Sequence, residues 1–186
     1  LKDFKKLKKI VLKSKPDYIF HLAAQALVKE SYQNPFFTFR SNTVGTLNLL
    51  EILRTYKKKC TVVIITSDKV YKNLESKKGY KENSTLGGID PYSASKASTE
   101  IIIESYFKSY FSNKKNKNIS IAVARAGNVI GGGDWAKNRL IPDIIRSLNL
   151  SKKINVRNPN STRPWQHVLD PLSGYLLLAK KLYEIP

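Results

Sequence analysis

The chain has 186 residues, enough for one α/β domain or a domain and a fraction. Its 41% hydrophobic and 25% charged residues are compatible with a packed core. With 33 Lys+Arg against 14 Asp+Glu the formal charge is +19, but the lysines fall in short groups such as Lys5-Lys6, Lys57-Lys58-Lys59 and Lys152-Lys153, which read as solvated helix ends and loops.

The first element is an amphipathic helix over 3–13, with Phe4, Leu7, Ile10 and Val11 at three- and four-residue spacing. Pro16-Asp17 ends it. The apolar run at 18–24 reads as a buried parallel strand. A short helix or loop fills 25–34. Pro35 then opens a longer helix to about Tyr56, interrupted by Gly45. Gly inside a helix costs about 1 kcal/mol against Ala, so Gly45 points to a close approach of another backbone.

The run at 61–66 is the second strand, and 73–88 is a loop long enough to be functional. Pro91 starts a helix to about Phe111. The Asn-Lys-rich stretch at 112–118 reads as a surface turn, and 119–124 as the third strand. Residues 125–134 are dense in Gly and read as a loop without a strand or helix. A helix over 140–150 carries Pro142 in its first turn. A short strand is expected at 154–156 and turns at 158–164. Asp170 reads as the N-cap of a last helix, with Pro171 at its first position. Strand–helix alternation at this spacing predicts a parallel α/β sheet with right-handed crossovers.

The chemistry-bearing residues gather around 61–96. A buried strand ends in Thr66-Ser67-Asp68-Lys69, and a helix begins at Asp90-Pro91-Tyr92-Ser93-Ala94-Ser95-Lys96. Ligands of open α/β sheets bind at the carboxyl ends of strands. Tyr92 and Lys96 stand four apart, on one face of a helix. A free phenol has a pKa near 10, and a neighbouring ammonium lowers it, so the pair can act as a general base. Other chemistries lack support. The two histidines are far apart and Cys60 is the single cysteine, which excludes a disulfide framework and a thiolate metal site. No Gly-x-Ser-x-Gly elbow is present. No apolar run approaches the ~20 residues of a bilayer span. No membrane, metal or nucleic-acid partner is therefore expected, and the cytoplasm is the expected compartment.

These residues resemble the extended short-chain dehydrogenases/reductases that act on nucleotide sugars, and within them the CDP-glucose 4,6-dehydratases. The matching segments include His21-Leu22-Ala23-Ala24-Gln25, Asn42-Thr43-Val44-Gly45-Thr46, Thr66-Ser67-Asp68-Lys69, Asp90-Pro91-Tyr92-Ser93-Ala94-Ser95-Lys96, Gly131-Gly132-Gly133-Asp134-Trp135 and Arg163-Pro164-Trp165-Gln166-His167. The resemblance implies a Rossmann-like parallel sheet with helices on both faces. It implies a partial NAD-binding domain over 1–126 and part of a nucleotide-sugar lobe over 127–186. It also implies NAD as cofactor, CDP-glucose or a related nucleotide sugar as substrate, and a homodimer built through the long helices.

By the same resemblance, Tyr92 is the base that oxidises C4 of the sugar, with Ser67 and Lys96 assisting. Asp68 is the acid that protonates the departing C6 oxygen. Lys69 is either the base for the C5 proton or a cation that binds phosphate or holds Asp68 ionised. Ala23, Ala24, Gln25 and Thr66 line the cofactor together with Tyr92 and Lys96. Asn128, Arg139, Leu140, Arg163 and His167 bind the nucleotide sugar. Asn42 is expected to stabilise the backbone of the site, and His21 to be a satisfied core histidine. The glycine-rich turn that cradles a dinucleotide is not in the sequence, and the chain begins at Leu1 with no Met. It therefore reads as a piece of a longer enzyme, with little activity alone. Another epimerase or dehydratase of the same fold, or an inactive piece with a polyanion-binding surface, are the alternative readings.

Overall fold

The computed structural model describes residues 1–76, 78–112 and 118–184. Three parallel strands form the main sheet in the order β1 (Tyr18–His21), β2 (Cys60–Ile65), β3 (Ile119–Ala124). Tyr18 pairs with Thr61, and Cys60 with Ile119, so the carboxyl ends of all three strands lie together. Strand β2 is central and almost fully buried, as its apolar run predicts.

Alternation along β2 divides the core. Val62 and Ile64 pack with Val11 of α1 (Phe4–Ser14), with Leu49, Leu50, Ile52 and Leu53 of α4 (Gly45–Arg54), and with Ile103 of α5 (Pro91–Tyr106). Val63 faces the other way, against Tyr175 and Ala179 of the last helix, α7 (Leu169–Glu184). Helices thus cover both faces. Fully burying a side chain such as Leu50 or Ile52 contributes about 2 kcal/mol each.

Local signals set the helix ends. Asp3 caps α1 by accepting from the Lys6 amide at 2.9 Å. The helix expected from Pro35 is α3 (Pro35–Phe39), a π-helical turn at Arg40–Val44, and then α4, following the short α2 (Val28–Gln33). Helix α5 continues through a second π turn at Phe107–Phe111. At Gly45 an added Cβ would meet the Leu1 side chain at 3.0 Å, so its neighbour is a side chain and not the backbone expected there.

Residues 127–184 depart from expectation in three places. Asn128–Ile130 is a strand, β4, although its Gly-rich context reads as loop. It pairs in parallel with β5 (Trp165–His167), and that distant partner overrides the local signal. The run at 154–156 is exposed and outside any strand, because no neighbour offers it a ladder. Asp170 lies inside the first turn of α7 and is not its cap; its carboxylate accepts from the His167 amide at 3.2 Å. Helix α6 (Leu140–Asn149) stands as predicted, with Pro142 in its first turn. Of the surface turn expected at 112–118, residues 113–117 lie outside the described residues.

Candidate active site

The site forms where β2 and α5 converge. Ser67, just past β2, is buried, and its hydroxyl accepts from the Lys69 amide at 3.3 Å, capping the 3-10 turn Asp68–Val70. The Thr66 amide donates to Ala124 O at 2.9 Å and the Asp68 amide to Ala126 O at 3.0 Å, so the polar tail of β2 stays pinned to the end of β3. On the facing helix, Asp90 caps α5 through the Ser93 amide at 3.0 Å and the Ser93 hydroxyl at 2.6 Å. Gly88 packs so tightly beneath this turn that an added Cβ would lie 2.2 Å from the Ala94 nitrogen. The Tyr92 amide donates to the buried Ser31 hydroxyl at 3.1 Å, which seats the first turn of α5 on α2.

Tyr92 and Lys96 are both buried. Burial pushes the Tyr92 phenol above its ordinary value. A hydrogen bond with Ser67 and the Arg139 charge oppose that rise, while Asp68 and Asp90 reinforce it. Lys96 is lowered to about 8 by burial, against the pull of Glu100. Its ammonium donates to Ile65 O at 3.2 Å. The phenol is therefore raised here, chiefly by burial, and not lowered as the pairing with Lys96 predicts. Asp68 and Lys69 are half-buried, and Asp68 Oδ1 accepts from the Ser67 hydroxyl at 3.1 Å.

A second network fixes the end of β1. Asn42, in the π turn, accepts from the Gln25 amide at 2.7 Å and donates to Gln25 O at 3.0 Å and to the Ser95 hydroxyl at 2.9 Å. Ser95 in turn donates to Tyr92 O at 2.7 Å. The wider π turn frees the Asn42 carbonyl to accept from Thr46 at 2.7 Å and Thr99 at 3.3 Å. Gln25 is held inward: its amide reaches Thr38 and Leu27 O, and its side-chain oxygen accepts from the Leu27 amide. Its side chain is thus structural, whereas Ala23 is exposed and Ala24 half-buried at the strand end. His21 is buried, bonds Thr46 at 2.9 Å, and is lowered to about 4 chiefly by burial, in keeping with a core histidine.

The remaining residues spread over 127–167. Asn128 is half-buried, its amide on Pro164 O at 3.0 Å. Gly127 permits that approach, since an added Cβ would lie 2.7 Å from the Pro164 ring. Arg139 precedes α6, 3.3 Å from Asp134, and its charge acts on Tyr92. Leu140, Arg163 and His167 are exposed; Arg163 donates to Thr162 O at 2.6 Å, and His167 Nδ1 accepts from the Leu169 amide at 3.3 Å. Among the described residues no cluster of three His, Cys, Asp or Glu could hold a metal, and no helix is long and apolar enough to cross a membrane.

Sequence reasoning missed a buried pair next to the site. Glu100, one turn after Lys96, accepts from Thr66 at 2.5 Å and takes a two-pronged contact from Arg125. The available signal was a carboxylate four residues beyond Lys96, which puts it on the same helix face.

Comparison with known proteins agrees with this fold. The family model described as GDP-mannose 4,6 dehydratase matches residues 1–183. The CDP-glucose 4,6-dehydratase of Salmonella typhimurium is 49% identical over 185 residues, covering 98% of this chain and 52% of that protein. A double mutant of the Streptomyces venezuelae dTDP-glucose 4,6-dehydratase, solved with NAD bound, superposes with a TM-score of 0.82 at 25% identity, over 96% of this chain and 52% of that one. The Bacillus anthracis dTDP-glucose 4,6-dehydratase, also in complex with NAD, gives 0.78 at 27% identity, over 97% and 53%. The chain spans about half the length of these relatives. Its parallel sheet, helix layers and family match over residues 1–183 agree: the chain belongs to the GDP-mannose 4,6-dehydratase family and carries part of its Rossmann-like fold.

Proposed function

We propose that the whole protein dehydrates a nucleotide sugar, CDP-glucose, to the CDP-linked 4-keto-6-deoxy sugar. The observation that supports this reading is the approach of Ser67 and Asp68, just past β2, to Tyr92 on α5, with Lys96 bound to Ile65 O beside them. The 49% identity to a CDP-glucose 4,6-dehydratase supports the choice of nucleotide and sugar.

The residues present fit a nicotinamide dinucleotide. Lys96 has three donors and uses one on Ile65 O, which leaves two for ribose hydroxyls. Ala23 and Ala24 leave the end of β1 uncovered on the same side, with Thr66 beside them at the end of β2. When bound, NAD supplies a hydride acceptor that is restored within each turnover. Tyr92 takes the proton of the C4 hydroxyl as its phenolate, the form that its hydrogen bond with Ser67 favours against burial. The resulting 4-keto group acidifies the C5 proton, which Lys69 removes. Asp68 gives a proton to the C6 oxygen, so that water leaves and not hydroxide. Hydride lost from C4 would return to C6 as Lys69 gives a proton back to C5, and the sum is the sugar minus one water.

Of the expected lobe at 127–186, residues 127–168 carry the nucleotide-sugar part, with Asn128, Arg139, Leu140, Arg163 and His167 toward the substrate, while α7 packs on the main sheet. Arg139 and Arg163 suit the two-pronged geometry of pyrophosphate oxygens. Helix α7 returns from the lobe to the sheet. The protein assembles as a homodimer through its long helices, which keep Phe36, Val44, Ile101 and Phe107 exposed. Light scattering of the whole protein checks that assembly, and a monomer overturns it. Turnover of CDP-, dTDP- and GDP-hexoses tests the main reading. The highest kcat/KM is expected for CDP-glucose, and dehydration of none of them rejects the proposal.

A further inference from the structure

Three elements supply the site: the end of β2, the start of α5 and the end of β3. One buried ion pair touches all three. The Glu100 carboxylate on α5 accepts from the Thr66 hydroxyl at 2.5 Å and pairs with Arg125, which follows β3. The Arg125 side chain also donates to the Tyr71 hydroxyl at 3.0 Å and to Glu82 O at 2.9 Å, and it lies over the Tyr71 ring at 4.8 Å. Glu100 is 6% exposed, and an ion pair at that depth contributes little net stability of its own. Its value lies in geometry. Lys96 grips Ile65 O while Glu100, one turn on, grips Thr66. Adjacent helix turns therefore hold adjacent residues of the strand end, directly before Ser67.

We propose that Glu100 is a positioning residue of the site: with Arg125 and Thr66 it clasps β2 to α5, fixing Ser67 and Asp68 against Tyr92 and keeping its carboxylate one helical turn from Lys96. The charged and titratable groups around the clasp are few. Lys96 faces Glu100 on α5, His21 faces Lys96 from β1, and Arg125 faces Glu100 from beyond β3. Glu82 and Glu104 line the groove of about 530 Å³ on the outer side of the clasp. The direction of the Glu100 effect on Lys96 agrees with this arrangement: it raises the amine's proton affinity against burial.

The inference rests on the dehydratase reading only for its kinetic arm. The test uses Glu100→Gln, Glu100→Asp and the double variant Glu100→Gln/Arg125→Gln in the whole protein. The first keeps an acceptor for Thr66 and removes the charge. The double variant leaves no unpaired charge in the interior, so it folds even where the single change does not. The first readout is the titration midpoint of Lys96, followed by nitrogen-15 NMR of labelled lysine and identified by its loss in Lys96→Arg. It should fall by about one pH unit in both Gln variants and stay near wild type in Glu100→Asp. The second readout is turnover of CDP-glucose. A kcat reduced about tenfold or more with little change in KM is expected for the Gln variants, recovering in part with Asp. A wild-type Lys96 midpoint in the folded double variant overturns the inference, whether or not the protein turns over CDP-glucose. Unchanged kcat in that variant of an active protein does the same. An inactive wild type rejects the dehydratase reading while the Lys96 titration still decides this one.

Discussion

Asn42 holds Gln25 from both sides: it accepts from the Gln25 amide at 2.7 Å and donates to the Gln25 carbonyl at 3.0 Å. Its third bond, to Ser95 at 2.9 Å, carries that grip to the helix bearing Tyr92 and Lys96. One side chain thus registers the end of β1 against the first turns of α5.

Truncating it should be costly. Asn42→Ala strands a buried amide and a buried carbonyl, so a loss of about 3 kcal/mol is expected in urea denaturation. Asn42→Asp should recover little, because a carboxylate cannot donate to Gln25 O or to Ser95.

His21 makes the fold sensitive to acid. Burial, helped by the Lys96 charge, lowers its pKa from 6.5 to about 4. The unfolded chain takes up a proton below pH 6.5 that the folded chain refuses down to about 4. Stability from this residue is therefore complete above pH 6.5, falls between 6.5 and 4, and levels off below. The gap of about 2.5 units corresponds to about 3 kcal/mol. Denaturation at pH 7, 6, 5 and 4 should show the wild type losing this much more than His21→Gln; parallel losses would refute the assignment.

Gly88 supports α5 from beneath. An added Cβ would lie 2.2 Å from Ala94 N and 2.4 Å from Ser93 C, and neither backbone atom can swing aside. Gly88→Ala should therefore destabilise by about 3 kcal/mol and displace Tyr92, visible as a lower melting temperature together with reduced kcat.

The two halves of the chemistry should separate by substitution. Tyr92→Phe removes the proton acceptor and should lower kcat by roughly 10²–10⁴ with little effect on KM. Lys69→Ala should slow deuterium wash-in at C5 when turnover is run in heavy water; an unchanged exchange rate removes Lys69 as the C5 base.

The main sheet was legible because each parallel strand is an apolar run between turn residues, as in Cys60–Ile65 and Ile119–Ala124. The Tyr92–Lys96 pair was legible because helical spacing alone places it. Strand Asn128–Ile130 was not, since its pairing depends on Trp165–His167, far along the chain. The run at 154–156 misled for the converse reason: β-forming residues without a partner strand stay exposed. Glu100 and Arg125 look like surface charges in sequence, and only the packing of α5 on β2 and β3 buries them together. The raised Tyr92 phenol was equally hidden, because it depends on how deeply packing buries the side chain.

The central claim is that one site both oxidises the sugar and removes water from it. Mass spectrometry of the product formed by the whole protein from CDP-glucose and NAD in heavy water tests this most directly. The expected product has lost one water and carries one deuterium, at C5. A product isomeric with CDP-glucose, or an oxidised sugar that retains its C6 oxygen, would contradict it.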